Sequence, residues 1–262
     1  MASTFEQLVK FGTDASGLER TFRLLQSLTQ ILIFLTPARA LLLHLLALLP
    51  PALAASELPF SALQALRARF ALGRRFFRVF RFLDAFGSAW TLSQTARAAP
   101  WGSPGLETWL DISSRSFNGM YLLLETATFP EALGVDGLSV WGREMAGVLQ
   151  VEGQRLWFFA LVCAVGAGVV RVRRGGGWRV GRRLVADVLD LAAPGAVVGW
   201  VAAEPGTVGL LMLGSTWLTT VEVWERCGRE VEEKRDTERV VRDLRRRVQE
   251  LEERDLGEKG GK

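Results

Sequence analysis

"RARFALGRRFFRVFRFLDAF" (residues 67–86) sets six arginines and six phenylalanines into twenty residues. At 100° per residue, Arg67, Arg74, Arg75, Arg78 and Arg81 gather within an arc of about 120° on a helical wheel. Leu72, Phe76, Val79, Phe80, Leu83 and Phe86 fall on the other side, with Leu66 and Phe77 at one edge. Arg69 and Phe82 break the pattern. The spacing predicts one two-sided helix over 66–86, suited to the surface of an anionic bilayer. Its rings would enter the acyl boundary, and its arginine stems would lie along the apolar surface with their guanidiniums among the phosphates. At roughly 1 kcal/mol per basic residue, five arginines would supply about 5 kcal/mol before any ring is buried. The competing reading is a surface helix of a soluble bundle, which also carries an apolar stripe. That reading expects acids and lysines on the wet face, whereas Asp84 is the one acid in the segment. Nucleic-acid binding would need rings interleaved with the cations for base stacking, and here the two classes separate.

Outside this stretch the chain is apolar in long runs. Its 262 residues are 49% hydrophobic, with 32 basic and 28 acidic side chains. A pI near 9.6 suits an anionic partner. "LWFFALVCAVGAGVV" (156–170), between Arg155 and Arg171, is one candidate membrane span. It is short of the ~20 residues a crossing requires, a gap that snorkelling and local thinning can close. "PGTVGLLMLGSTWLTTV" (205–221) is the second. "LAAPGAVVGWVAA" (191–203) reads as interfacial or re-entrant, and the leucine run at 40–49 as a packed or membrane-lying helix. A large soluble core would explain the same runs. Two crossings would put both chain ends on one side and the basic connector 171–183 on the other, against the positive-inside tendency.

Apolar spacings of three and four recur along the chain without sustained period-two alternation, so the fold class is all-α. The expected organisation is an N-terminal helical region (1–97) carrying the amphipathic helix and a loop-and-helix connector (98–150). A C-terminal membrane region (151–225) and a charged helical tail (226–262) follow. Within the tail, Glu230–Lys234, Glu238–Arg242, Asp243–Arg247 and Glu250–Arg254 are i,i+4 pairs. Val241, Leu244, Val248 and Leu251 follow a short a/d pattern. No phosphate loop, nucleophile elbow or metal cluster is visible, so neither catalytic residues nor a cofactor or metal is expected. His44 stands alone, Cys163 and Cys227 form no framework, and Asp187 and Asp190 read as capping and arginine-pairing residues.

Three segments resemble the peroxisomal biogenesis factor 11 family. "FGTDASGLERTFRLLQSL" (11–28) is similar to its opening, with Asp-x-x-Gly followed by Arg23-Leu24-Leu25-Gln26. "ARFALGRRFFRVFRFLDAF" (68–86) looks like its Arg/Phe-rich amphipathic helix, and "RRLVADVLDLAAP" (182–194) with the run to Trp224 like its membrane region. The resemblance implies a non-enzymatic protein of the peroxisomal membrane that elongates the organelle before fission. It would act through self-association and insertion of the amphipathic helix into the outward-facing leaflet of an anionic phospholipid membrane. It further implies cytosolic termini and a link to the fission machinery; no nucleic-acid partner is expected, from the separation of rings and arginines on the wheel. A metabolite pore and a soluble helical scaffold are the alternatives.

Overall fold

Helix follows the apolar periodicity, and no strand occurs among the described residues. The computed structural model describes residues 4–47, 59–98, 105–135 and 137–260. In chain order the helices are α1 (Thr4–Thr13), α2 (Ala15–Phe34), α3 (Thr36–Ala47), α4 (Phe60–Arg78), α5 (Arg81–Ala98) and α6 (Leu106–Ala127). After them come α7 (Phe129–Leu133), α8 (Gly142–Arg173), α9 (Trp178–Asp190), α10 (Ala192–Val198) and α11 (Pro205–Gly260). Local chemistry sets several of the boundaries. Asp14 accepts hydrogen bonds from the backbone N–H groups of Ser16 (2.9 Å) and Gly17 (3.0 Å), capping α2. Pro37 sits in the first turn of α3, where its missing N–H is harmless. Gly134, with φ +64, closes α7. The end of the leucine run at 40–49, and residues 99–104 of the expected connector, lie outside the described residues.

Two expectations need correction. The stretch 66–86 is not one helix: α4 ends at Arg78 and α5 starts at Arg81. Val79 is extended (φ −54, ψ 132) and Phe80 is left-handed (φ 68), the dihedral pattern of a type II turn. The basic connector 171–183 is also shorter than expected. Residues 174–177 suffice to turn the chain, with Gly175 at φ +88, and Arg179, Arg182 and Arg183 lie on α9.

The chain divides into two compact units, residues 1–17 with 221–262, and residues 18–220. In the larger unit, α6 and α8 run antiparallel as the central pair. Arg171 bonds Glu107 at 2.9 Å at one end, and Tyr121 stacks on Trp157 at 5.4 Å at the other. Small residues let α5 and α9 pack closely on this pair, and Gly166 of α8, where a Cβ would stand 3.2 Å from Leu110, lets α6 and α8 approach each other. A Cβ at Gly119 on α6 would stand 2.7 Å from the Phe86 ring, and one at Gly168 on α8 would stand 3.0 Å from Leu184. α10 packs on α8, with Trp200 beside Phe158 (5.1 Å). In the smaller unit, α1 lies antiparallel to the tail. Glu6 pairs with Arg235 (2.6 Å), Lys10 with Glu230 (2.9 Å) and Asp14 with Arg226 (2.7 Å). Glu230 thus engages Lys10 and Arg226, while Lys234 pairs with Glu238. The side chains of Val248, Glu250, Leu251 and Arg254 lie outside the described ones.

Gly119→Ala should destabilise the purified chain by about 1–3 kcal/mol, the usual cost of overpacking, because the Phe86 ring must move. At Gly153 the nearest atom to an added Cβ is 3.6 Å away. Gly153→Ala should therefore be neutral or gain up to about 1 kcal/mol of helix propensity. Melting curves of the two variants in one detergent check the contrast.

Candidate functional site

The arginine and phenylalanine flanks of α4 do separate, and the structure places them opposite to the expected sense. Arg74 is only 7% exposed. Its Nε donates to Glu19 Oε1 (3.2 Å) on α2, and its Nη1 donates to Gln26 Oε1 (2.8 Å). One turn later, Arg78 Nη2 donates to Glu125 Oε1 (2.6 Å) on α6, and Nη1 donates to the Tyr121 hydroxyl (3.2 Å). That hydroxyl in turn donates to Glu125 Oε1 (3.1 Å). Arg75 lies 3.8 Å from the same carboxylate. Three of the five arginines read as headgroup ligands are therefore held in ion pairs inside the larger unit. Arg67 is half-buried, and its Nε has no hydrogen-bond partner among the described residues. Arg81 and Arg69 are exposed.

Electrostatics keeps the network charged. Burial pushes the Glu19 carboxyl up, but Arg20 and Arg74, helped by Arg78 and Arg23, more than offset it and hold it well below the carboxylate range. Burial, with repulsion from Arg78 and Arg23, brings Arg74 down to about 10, still protonated at neutral pH. Tyr121 is pushed up to about 12, by burial and then by Glu125, so its phenol keeps the proton it donates. Beside this network, Asp190 of α9 accepts from Arg23 and from Ser215, and Asp187 pairs with Arg183 (3.1 Å). These are the arginine-pairing roles expected of the two aspartates.

On the outer side the apolar residues are bare. Phe76 is 67% exposed, Phe80 65% and Leu83 60%. Phe77 and Phe86 are half-buried, the first beside Phe22 (5.6 Å) and the second against Gly119. Leu72 and Val79 are half-buried. Trp90, seven residues after Leu83 on the same face of α5, extends the bare surface. Its i+7 spacing is in the sequence, but Trp90 lies beyond the arginine-rich stretch that drew attention.

Phe80 sits where glycine is the usual residue. Left-handed backbone costs a non-glycine residue roughly 1–2 kcal/mol, and strain of this kind gathers where a protein needs a side chain in one place. At this turn the Phe80 ring is exposed, as are Phe76 before it and Leu83 after it in the chain.

α8 is the one described helix long and apolar enough to cross a membrane, by length and composition. The apolar run 156–170 lies in the C-terminal half of a 32-residue helix, so length does not limit it. Phe159, Val162 and Val169 are exposed along α8, and Ala160, Leu161, Ala167 and Gly168 are buried. The second candidate, 205–221, opens the long α11 and does not meet the same measure.

Compared with known proteins, residues 5–175 match the profile of one family, described as peroxisomal biogenesis factor 11. No curated protein and no solved structure matches the chain.

Glu125→Ala should lower stability by about 3–5 kcal/mol, because it strands the buried Arg78 guanidinium. Glu152→Ala, which breaks the exposed pair with Arg155 (2.6 Å), should cost less than about 1 kcal/mol. Chemical unfolding of both variants in one lipid-like micelle measures the difference. Removing the Glu19 carboxylate tests the same network through pH. Its stabilising share is complete above the ordinary carboxylate range and is lost only as pH falls through its depressed value. Glu19→Gln should therefore flatten the acid limb of the stability profile.

Proposed function

Because the chain belongs to the peroxisomal biogenesis factor 11 family, a family of peroxisomal membrane proteins with a role in proliferation and division and not a family of enzymes, we propose that it elongates the organelle by wedging the α4–α5 turn into one leaflet. The observation that carries this reading is the bare ridge of Phe76, Phe80 and Leu83 on a strained turn. Three large apolar side chains this exposed within eight residues of one turn suit a membrane or partner surface better than bulk water. An anionic phospholipid leaflet on the cytosolic side would receive the ridge. Copies of the chain would self-associate to concentrate the wedge, with both termini in the cytosol and the fission machinery acting afterwards.

The energetics differ from those of a freely exposed amphipathic helix. Fully burying one large apolar side chain is worth about 1.5–3 kcal/mol. Three side chains already part-covered would give on the order of 3–5 kcal/mol. Of the basic residues in the stretch, Arg69 and Arg81 remain exposed, contributing about 2 kcal/mol rather than 5. Rings, more than cations, dominate this insertion. Reversing Arg74, Arg75 and Arg78 would mainly test folding, since their partners are buried carboxylates.

In flotation assays with phosphatidylserine-containing vesicles, Phe76→Ser with Leu83→Ser should weaken binding about 100-fold, from the loss of roughly 3 kcal/mol. The melting temperature should be unchanged. Arg81→Gln should weaken binding less than about tenfold. Equal losses in the two arms would sink the ridge as the dominant contact. Phe80→Gly should leave stability unchanged or raise it by up to about 1 kcal/mol, as left-handed strain is relieved. It should still shorten tubules formed on vesicles, and organelles in cells expressing it should be fewer in elongated form.

A further inference from the structure

Behind the ridge, residues 18–220 enclose a cavity of about 490 Å³ against the inner face of α8. Arg20, Arg23, Arg74 and Arg78 line its interior, and the exposed Arg81, Arg115 and Arg183 line its margin. Four carboxylates share that wall, Glu19, Asp84, Asp187 and Asp190, and Glu125 holds Arg78 from just outside it. Glu19 serves two guanidiniums at once, Arg74 by a hydrogen bond and Arg20 at 3.6 Å. Seven arginines against five carboxylates leave the site short of negative charge.

A second observation points the same way. The Nε groups of Arg23 and Arg78 are buried with no hydrogen-bond partner among the described residues, while that of Arg20 stands 3.6 Å from Glu19 Oε2. Arg23 is itself only 4% exposed. A buried N–H without an acceptor is unfavourable wherever it occurs; two such donors line this cavity, and beside Arg78 the one buried acceptor left over is Glu125 Oε2. Guanidiniums present planar forks of donors that match tetrahedral oxyanions. Here they converge from α2 and α4, with Arg115 of α6 at the mouth. Tyr121, Trp157 and Leu161 add an apolar wall able to contact carbon, and the volume lies in the range of small-molecule sites.

We infer that the cavity framed by Arg20, Arg23, Arg78 and Arg115 binds a phosphate-type oxyanion, whether a soluble phosphate ester or the headgroup of a lipid reaching in beside α8. This rests on none of the ridge residues. Glu19, Asp190 and Glu125 remain bound to their arginines, and the oxyanion takes the donors they leave over. The carbon part of the ligand lies against Trp157 and Leu161.

The full chain in phosphatidylcholine nanodiscs provides the test, read by thermal shift. Inorganic phosphate should raise the melting temperature saturably, and chloride at the same ionic strength should not. Dihexanoyl phosphatidic acid, in a parallel arm, separates the sources. Saturation by phosphate alone supports a soluble ligand, and saturation by the short-chain lipid, alone or in competition with phosphate, supports a headgroup. Arg20→Gln should weaken the response at least tenfold, leaving Glu19 paired with Arg74. Arg115→Gln, at an exposed position that cannot disturb the interior, should weaken it several-fold. The Phe76→Ser/Leu83→Ser variant should retain the full response, so failure here and failure of the membrane wedge are distinguishable. The inference is overturned if neither probe gives a saturable shift, or if both arginine variants respond as the parent chain does.

Discussion

A buried guanidinium must meet a carboxylate, and α4 carries two in succession, at Arg74 and Arg78. Their partners, Glu19 and Glu125, come from helices 55 and 47 residues away. An isolated charge in this setting would be prohibitive, and a hydrogen-bonded pair is tolerable. The pairs therefore fix how α4 may rotate about its own axis. Once the arginines face α2 and α6, the opposite flank can only look outward, and that flank carries Phe76. The ridge is a consequence of where the carboxylates are.

The turn at Val79–Phe80 follows from the same geometry. A straight helix through 86 would carry its apolar stripe onward at a steady 100° per residue. Breaking it at Arg78 lets α5 run beside α6, close enough for the Phe86 ring to lie over Gly119, while Phe80 and Leu83 stay in the open. The left-handed φ of Phe80 is the local cost of serving both demands. In the proposed wedge, curvature would come from a short rigid protrusion rather than from a floating helix. A protrusion held by buried ion pairs would not tilt as a free helix can.

The network also shapes what lies behind the ridge. Arginines gathered to meet Glu19, Asp190 and Glu125 outnumber the carboxylates that hold them, so one set of side chains both aims the rings and leaves an electropositive hollow against α8. The small unit built from α1 and the tail is simpler. Its ion pairs are partly exposed and individually weak, so register there depends on several acting together. That pairing gives the charged tail a partner within its own chain, which heptad spacing alone does not suggest.

The all-α class, the family resemblance and the segregation of arginine from phenylalanine were legible in the residues, because each depends on neighbours within a turn or two. The separation of Asp187 and Asp190 toward arginine partners was legible for the same reason of charge. The sense of the wheel was not. A helical wheel shows that two flanks differ but carries no information on what faces either one, and lone arginines look like headgroup ligands until their carboxylates are known. The break at Arg78 was likewise hidden, since neither Val79 nor Phe80 is a turn residue and only packing against α6 favours it. The sequence by itself determined that α4 has a cationic side and an aromatic side. Only the tertiary structure decided that the cationic side turns inward, because Glu19 and Glu125, distant along the chain, meet it there.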